Sequence, residues 1–115
     1  MQKKLILIRT SGQVEQITVS DELELEVLQN LVGGYIECVP TVFGGVEMLI
    51  NEEGKLHDLK YNEVATDISR VSEYDMIVGD VVLCKINGEH LVGFGEMEAK
   101  EICEEIERRF DEKRG

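Results

Sequence analysis

Three times along this chain a tight, glycine-bearing turn separates two short runs of aliphatic and β-branched residues, and that repetition constrains the fold more than any other feature. Residues 5–8 and 14–19 flank Ser11-Gly12, residues 35–43 and 46–50 flank Gly44-Gly45, and residues 81–86 and 89–94 flank Asn87-Gly88. Runs this short and this rich in Leu, Ile, Val and Thr are strand material, and a short turn between two of them makes an antiparallel hairpin. Asn-Gly favours a type I′ turn, so the third hairpin is expected to have Asn87 and Gly88 at its corners. Residues 76–78 form one more short strand before Gly79-Asp80. Pro40 has no amide hydrogen to give a neighbour, which places its strand at a sheet edge or at a bulge.

Two segments carry a helical period instead. Leu23, Val27, Leu28 and Leu31 share one helical face, Asp21 and Glu24 are spaced as a capping box, and Gly33-Gly34 can end the helix in the left-handed conformation. At the other end Ala99, Ile102, Cys103, Ile106 and Phe110 recur at helical spacing, with Glu104 to Arg108 and Glu105 to Arg109 as i,i+4 pairs. Residues 51–54, Asn-Glu-Glu-Gly, read as a turn in which Asn51 bonds back to its own backbone and Gly54 takes a positive φ. Residues 55–75 have weak periodicity and are expected to form loops, with a helical turn near 63–68. The class is therefore α+β: an antiparallel sheet built from hairpins, packed against one short helix and one longer C-terminal helix. At 115 residues the chain makes one compact domain, 1–115, with residues 111–115 frayed; no linker divides it.

The charge is lopsided. Twenty-four acids face twelve bases, a formal −12, and there is no basic stripe. Direct binding to a phosphate backbone or to an anionic membrane would meet long-range repulsion. Residues 96–115 hold eight acids and five bases, a formal −3, which leaves −9 for residues 1–95. Recognition by negative charge is thus expected on the sheet turns and the 55–80 connection. The apolar stretch at residues 5–8 is too short for a signal-peptide core or a membrane span, so the expected location is cytoplasmic. Cys38, Cys84 and Cys103 make no CxxC pair and are expected to be reduced and largely buried, unless two of them meet in space.

No motif in the chain carries a known chemistry. His57 and His90 lack zinc-site spacing, and His90, beside the Asn-Gly turn, is expected to be exposed. Neither Gly33-Gly34 nor Gly44-Gly45 sits at a strand-to-helix junction, where a phosphate cradle would form. The glycines at 93 and 95 do precede a helix, but Glu96 and Glu98 would cap or repel an anion there. Asn51, Glu52 and Glu53, with Asp58, Asp75 or Asp80, offer oxygen ligands without the pattern of a calcium loop. The tyrosines 35, 61 and 74 lie near structural transitions and offer a rigid apolar face with a hydroxyl, which suits an interface. The candidate contact residues are Tyr35, Asn51, Glu52, Glu53, Tyr61, Asn62, Tyr74, Asp75 and Asp80. Neither a catalytic set, a metal site nor a cofactor is assigned.

Leu31-Val32-Gly33-Gly34-Tyr35-Ile36-Glu37, Ile50-Asn51-Glu52-Glu53-Gly54-Lys55-Leu56, Asn62 and Tyr74-Asp75-Met76-Ile77-Val78-Gly79 together resemble a family of small proteins often carried by phages and plasmids, the domain of unknown function 3846. The resemblance covers much of residues 5–86, with Gly33, Gly34, Tyr35, Asn51, Glu52, Gly54, Asn62 and Asp75 at motif positions. It assigns no activity to them. The Asn-Gly hairpin and the charged terminal helix read as local elaborations. A mobile-element context implies a small protein that binds and modulates host machinery.

Three functional readings follow. The first is an acidic binding or regulatory protein that modulates a basic, nucleic-acid-binding host protein, without binding nucleic acid or membrane itself. The second is a small-molecule-binding or metal-dependent hydrolytic domain, which needs Asn51, Glu52, Asn62 and Asp75 to converge on one pocket. The third is a structural homo-oligomer, such as a homo-dimer, pairing through a strand near Pro40 or through the apolar face of the terminal helix.

Overall fold

A computed structural model describes residues 2–70 and 75–114, the last two by backbone alone. The described residues form β1 (Lys3–Ile8), β2 (Val14–Val19), α1 (Leu25–Val32), β3 (Ile36–Pro40), β4 (Val46–Asn51), α2 (Glu63–Ile68), β5 (Val81–Asn87), β6 (His90–Val92) and α3 (Glu96–Arg114). The three hairpins are all present as antiparallel pairs: β1 with β2, β3 with β4 and β5 with β6. They join into one sheet of order β2-β1-β5-β4-β3, with β6 also on β5. The late strand β5 closes it, pairing Ile6↔Leu83 on one side and Met48↔Leu83 on the other.

A strand bordered on both edges and covered on both faces loses its polar alternation. Residues Leu5, Ile6, Leu7 and Ile8 of β1 are all buried, as are Val81, Val82, Leu83 and Cys84 of β5. Odd and even positions serve two different cores. On one face Ile6, Ile8, Met48, Leu83 and Phe94 pack with Val64, Ala65 and Ile68 of α2 and Ala99, Cys103 and Ile106 of α3. On the other, Leu5, Leu7, Leu49, Val82 and Cys84 pack with Leu28 and Val32 of α1.

Several local expectations give way to tertiary contacts. The helix α1 starts at Leu25 with Glu24 as its N-cap and no side-chain cap bond, so Asp21 lies outside it and the capping box does not form. Its other end is well tied: Gly33, at φ 83°, and Gly34 both donate their N–H to the Gln29 carbonyl. Residues 76–78 are not a sheet strand. They run beside 60–62 instead, with Tyr61↔Val78 bridged and Gly79 N–H bonded to the Lys60 carbonyl. The third hairpin is present, but Asn87 pairs with His90, so Gly88 and Glu89 are the corners. Gly88 alone takes a positive φ, 65°, which is the pattern of a II′ turn. Gly54 has no positive φ; a Cβ there would sit 2.9 Å from Val78 Cγ2, so close packing selects the glycine. The edge position of Pro40 holds, since β3 ends the sheet.

Both ends of α3 are fastened differently from the i,i+4 pairing. Glu98 reaches back to accept the Gly95 N–H at 3.0 Å and meets Lys85 Nζ at 2.8 Å. Near the other end Arg109 lies 3.6 Å from Asp67 of α2, and Glu105 pairs with Arg108. Lys85, then the Gly95 N–H, holds the Glu98 carboxyl below its usual range. The stability from that contact is complete above the ordinary glutamate pKa of about 4.3 and is lost as pH falls through the lowered folded value. Glu98→Gln should therefore lower Tm at neutral pH and flatten the decline of Tm between pH 5 and the acid limit of the scan, roughly pH 2.

Between β6 and α3 the chain crosses β1. Lys4 and Phe94 exchange both backbone hydrogen bonds, at 2.8 and 2.7 Å, and a Cβ on Gly93 would lie 2.8 Å from Lys3 Cβ and 3.0 Å from the Lys4 carbonyl oxygen. Gly44 has open space around it. Gly93→Ala is expected to cost about 1–3 kcal/mol in urea unfolding, whereas Gly44→Ala should change stability by less than about 1 kcal/mol.

Candidate functional site

Asn62 stands where the loop after β4 turns into α2, and its side chain is the N-cap. Its Oδ1 accepts the Ala65 N–H at 3.0 Å, while Nδ2 donates to the Gly79 carbonyl at 2.9 Å and the Ile8 carbonyl at 3.1 Å. Thr66 continues the network: its hydroxyl donates to the Asn62 carbonyl at 2.9 Å and accepts the Ile77 N–H at 2.9 Å. Asn62 is fully buried, and these partners use both of its N–H donors and one of the two lone pairs of Oδ1.

Asn51 does the same work on the opposite face. Its Oδ1 accepts the Glu53 N–H at 2.8 Å, making the back-bonded turn read from the sequence, and its Nδ2 donates to the Val32 carbonyl at the end of α1. The side chain lies on Gly34, where a Cβ would approach Nδ2 to 3.0 Å. Glu52 N–H donates to the Tyr35 carbonyl at 2.8 Å. The glycine pair and the Asn-Glu-Glu-Gly turn therefore form one junction, the C-terminus of α1 clasped by the end of β4.

The remaining candidates separate. Asn51, Glu52 and Asp75 line a cleft of about 190 Å³ with Lys55 and, at its mouth, Leu56 and Met76, which are 82% and 58% exposed. Lys55 pairs with Asp75, and that contact, followed by the Met76 N–H, lowers the Asp75 pKa. Asn62 is not in this cleft. Tyr35 and Tyr61 are exposed elsewhere, and Glu53 lies 3.3 Å from His57. Asp80 accepts the Thr10 N–H at 2.9 Å with Arg9 at 3.5 Å. Tyr74 falls outside the described residues. Among the described residues no group of three or more His, Cys, Asp or Glu side chains is placed to hold a metal ion, and no helix is long and apolar enough to cross a membrane.

A second concavity was not legible in the motifs. Leu23, Leu25 and Leu28 face Leu91 and Val92 across a groove of about 620 Å³, rimmed by Asp21, Glu22, Glu89 and His90. Its sequence signal is an excess: α1 reads Leu-Glu-Val-Leu-Gln-Asn-Leu-Val, more apolar residues than one sheet face can cover. Val27, expected on the buried stripe, is exposed together with Leu25.

The three thiols are free, and Cys38 is exposed, contrary to the expectation of largely buried cysteines. It sits on the edge strand β3, where only one side has a neighbour. Burial pushes the Cys84 thiol up to about 12, and it also raises Cys103 and Cys38, the latter with help from Glu47 and Glu37. Labelling the native protein with a thiol reagent at neutral pH should modify Cys38 alone and slowly, with Cys84 and Cys103 reacting on unfolding. Asn62→Ala removes a cap and leaves two buried carbonyls without their donor, so a loss of about 3 kcal/mol or more is expected in denaturant unfolding. Asn62→Asp should also destabilise. A carboxylate facing those carbonyls favours protonation, so its deficit relative to the parent should shrink as pH falls.

No curated protein matches this chain, and no solved structure does. A family model does, over residues 2–110, a span that extends past residue 86 to take in the β5–β6 hairpin and most of α3. The chain belongs to the family described as Domain of unknown function (DUF3846).

Proposed function

We propose that this protein is a small acidic binding or regulatory protein that modulates a basic, nucleic-acid-binding host protein. One observation carries the reading: the two buried motif amides, Asn51 and Asn62, make internal hydrogen bonds that hold the fold, while the chain bears a formal −12 with leucine, valine and methionine side chains exposed. A surface of that kind attracts a basic partner at long range and keeps it by apolar contact. It would compete with DNA or RNA for the partner rather than bind nucleic acid.

Small-molecule binding has the Asn51, Glu52 and Asp75 cleft in its favour. Its volume, about 190 Å³, lies below the roughly 300–1,000 Å³ of ordinary ligand pockets, and Asn62 does not contribute to it. The homo-oligomer has less support. Beside Pro40 the edge is taken by the Arg70 N–H, and the apolar face of α3 is already against the sheet.

Affinity capture from a host lysate across a salt series tests the leading proposal. The expected catch is a reproducible set of basic nucleic-acid-binding proteins, released as salt rises and displaced by added DNA. A catch that is absent at every salt concentration, or that DNA strengthens, would count against it.

A further inference from the structure

The sequence Asp21-Glu22-Leu23-Glu24-Leu25-Glu26 alternates acid with leucine, and it is the stretch that leads into α1. The fold turns the leucines toward the groove: Leu25 lines it at 60% exposure, and Ile86 of β5, exposed at 47% on the same face of the sheet, lines an adjoining hollow. Asp21, Glu22, Glu89 and His90 line the groove as well, and Lys3 and Lys85 line the adjoining hollow. Lys85 is already held by Glu98. The groove is apolar at its floor and negative at its border.

We propose that this groove receives an amphipathic segment of a partner protein, with leucine-like side chains on one side and lysine or arginine on the other. This rests on the basic-partner reading above and gives it a location. Leu25 in the groove, with Leu23, Leu91 and Val92 beside it and Ile86 in the adjoining hollow, supplies the apolar area that binding would remove from water, at about 25 cal/mol per Å². The acidic border speeds encounter and sets orientation. Charge selects among occupants: a second copy would bring its own Asp21, Glu22, Glu24 and Glu26 against the first, and a nucleic acid or anionic membrane would meet the same sign.

The probe is a synthetic Leu/Lys peptide of amphipathic helical pattern, with a Leu/Glu peptide of the same pattern as its counterpart. Binding is read by fluorescence anisotropy at low and moderate salt, and its position by backbone amide NMR shifts. The Leu/Lys peptide should bind, weaken with salt, and shift amides of residues 21–28 and 86–92, whereas the Leu/Glu peptide should not bind. Leu25→Asp, and separately the pair Glu22→Lys with Glu89→Lys, should each weaken binding at least about tenfold, the equivalent of 1.4 kcal/mol. The pair Glu101→Lys with Glu104→Lys on exposed positions of α3 makes the same change in net charge and should leave affinity within about twofold, the additive expectation for a distant site. Each variant is first matched to the parent by circular dichroism and Tm.

Equal weakening by both charge pairs, or shifts that map elsewhere, would overturn the groove while leaving the basic-partner reading standing. No binding of the Leu/Lys peptide at either salt would remove both. Equal binding of the Leu/Glu peptide would overturn the charge argument. A peptide-free dimer dissolved by Leu25→Asp in sedimentation would assign the groove to a second copy.

Discussion

The side-chain amide of Asn62 holds together three parts of the chain that are far apart in sequence: the last carbonyl of β1 at Ile8, the carbonyl of Gly79 and the first turn of α2. That matters because β5 begins two residues after Gly79 and must enter the sheet between β1 and β4. The register Ile8↔Val81 places the start of β5 beside the same end of β1 that Asn62 grips. Asp80 reinforces the position from the surface by accepting the Thr10 N–H. Without the amide, two buried carbonyls and the helix N–H would lose their partner together, so the cost is shared by β1, α2 and the approach to β5.

Asn51 is the counterpart on the other face, and the two residues divide the labour. Asn62 fixes α2 to β1 and to the approach to β5, while Asn51 ties α1 to the end of β4. An eight-residue helix is too short to be stable alone, and α1 also lacks a side-chain cap at its start. It is held by its C-terminus, through Gly33, Gly34 and Asn51, and by burying Leu28 and Val32. Its N-terminal half is consequently the less anchored half. That half carries the exposed leucine and valine, and it follows directly on the densest acid in the chain, residues 21–26.

How much of this could be read from the residues depends on the range of the contact. The hairpins were legible because a two-residue turn and its flanking strands are local. The short helix at Glu63–Ile68 was legible too. The insertion of β5 between β1 and β4 was not, since pairing across some seventy residues leaves no periodic trace; the continuous burial of β1 and β5 is its only sequence echo. The capping box at Asp21 and Glu24 failed because the helix began later than its apolar spacing indicated. The turn at Asn87-Gly88 moved by one residue because the pairing of Asn87 with His90, fixed by the sheet, outweighed the dipeptide's preference for I′ geometry. Asn51 and Asn62 were correctly singled out as polar residues with a purpose. Their purpose is internal, and the sequence has no means of separating a buried amide that binds carbonyls from one that binds a ligand.

The distribution of acid is likewise clearer over short stretches than over long ones. Counting charge over long segments directed attention to the sheet turns and the 55–80 connection, where Lys55, Lys60 and Arg70 offset part of the acid and Lys55 is joined to Asp75. Over residues 21–26 four acids occur with no base, a formal −4 in six residues, and two of them, Asp21 and Glu22, line the apolar groove. Interior hydrogen bonds of the Asn51 and Asn62 kind depend on donors and acceptors in fixed places and are indifferent to surface charge. Glu22 and Glu89 on this border are exposed carboxylates. With α1 tied at its C-terminus by Asn51, Gly33 and Gly34, the acid sits at its opposite end, and the acid that disfavours a second copy or a nucleic acid is what favours a basic segment.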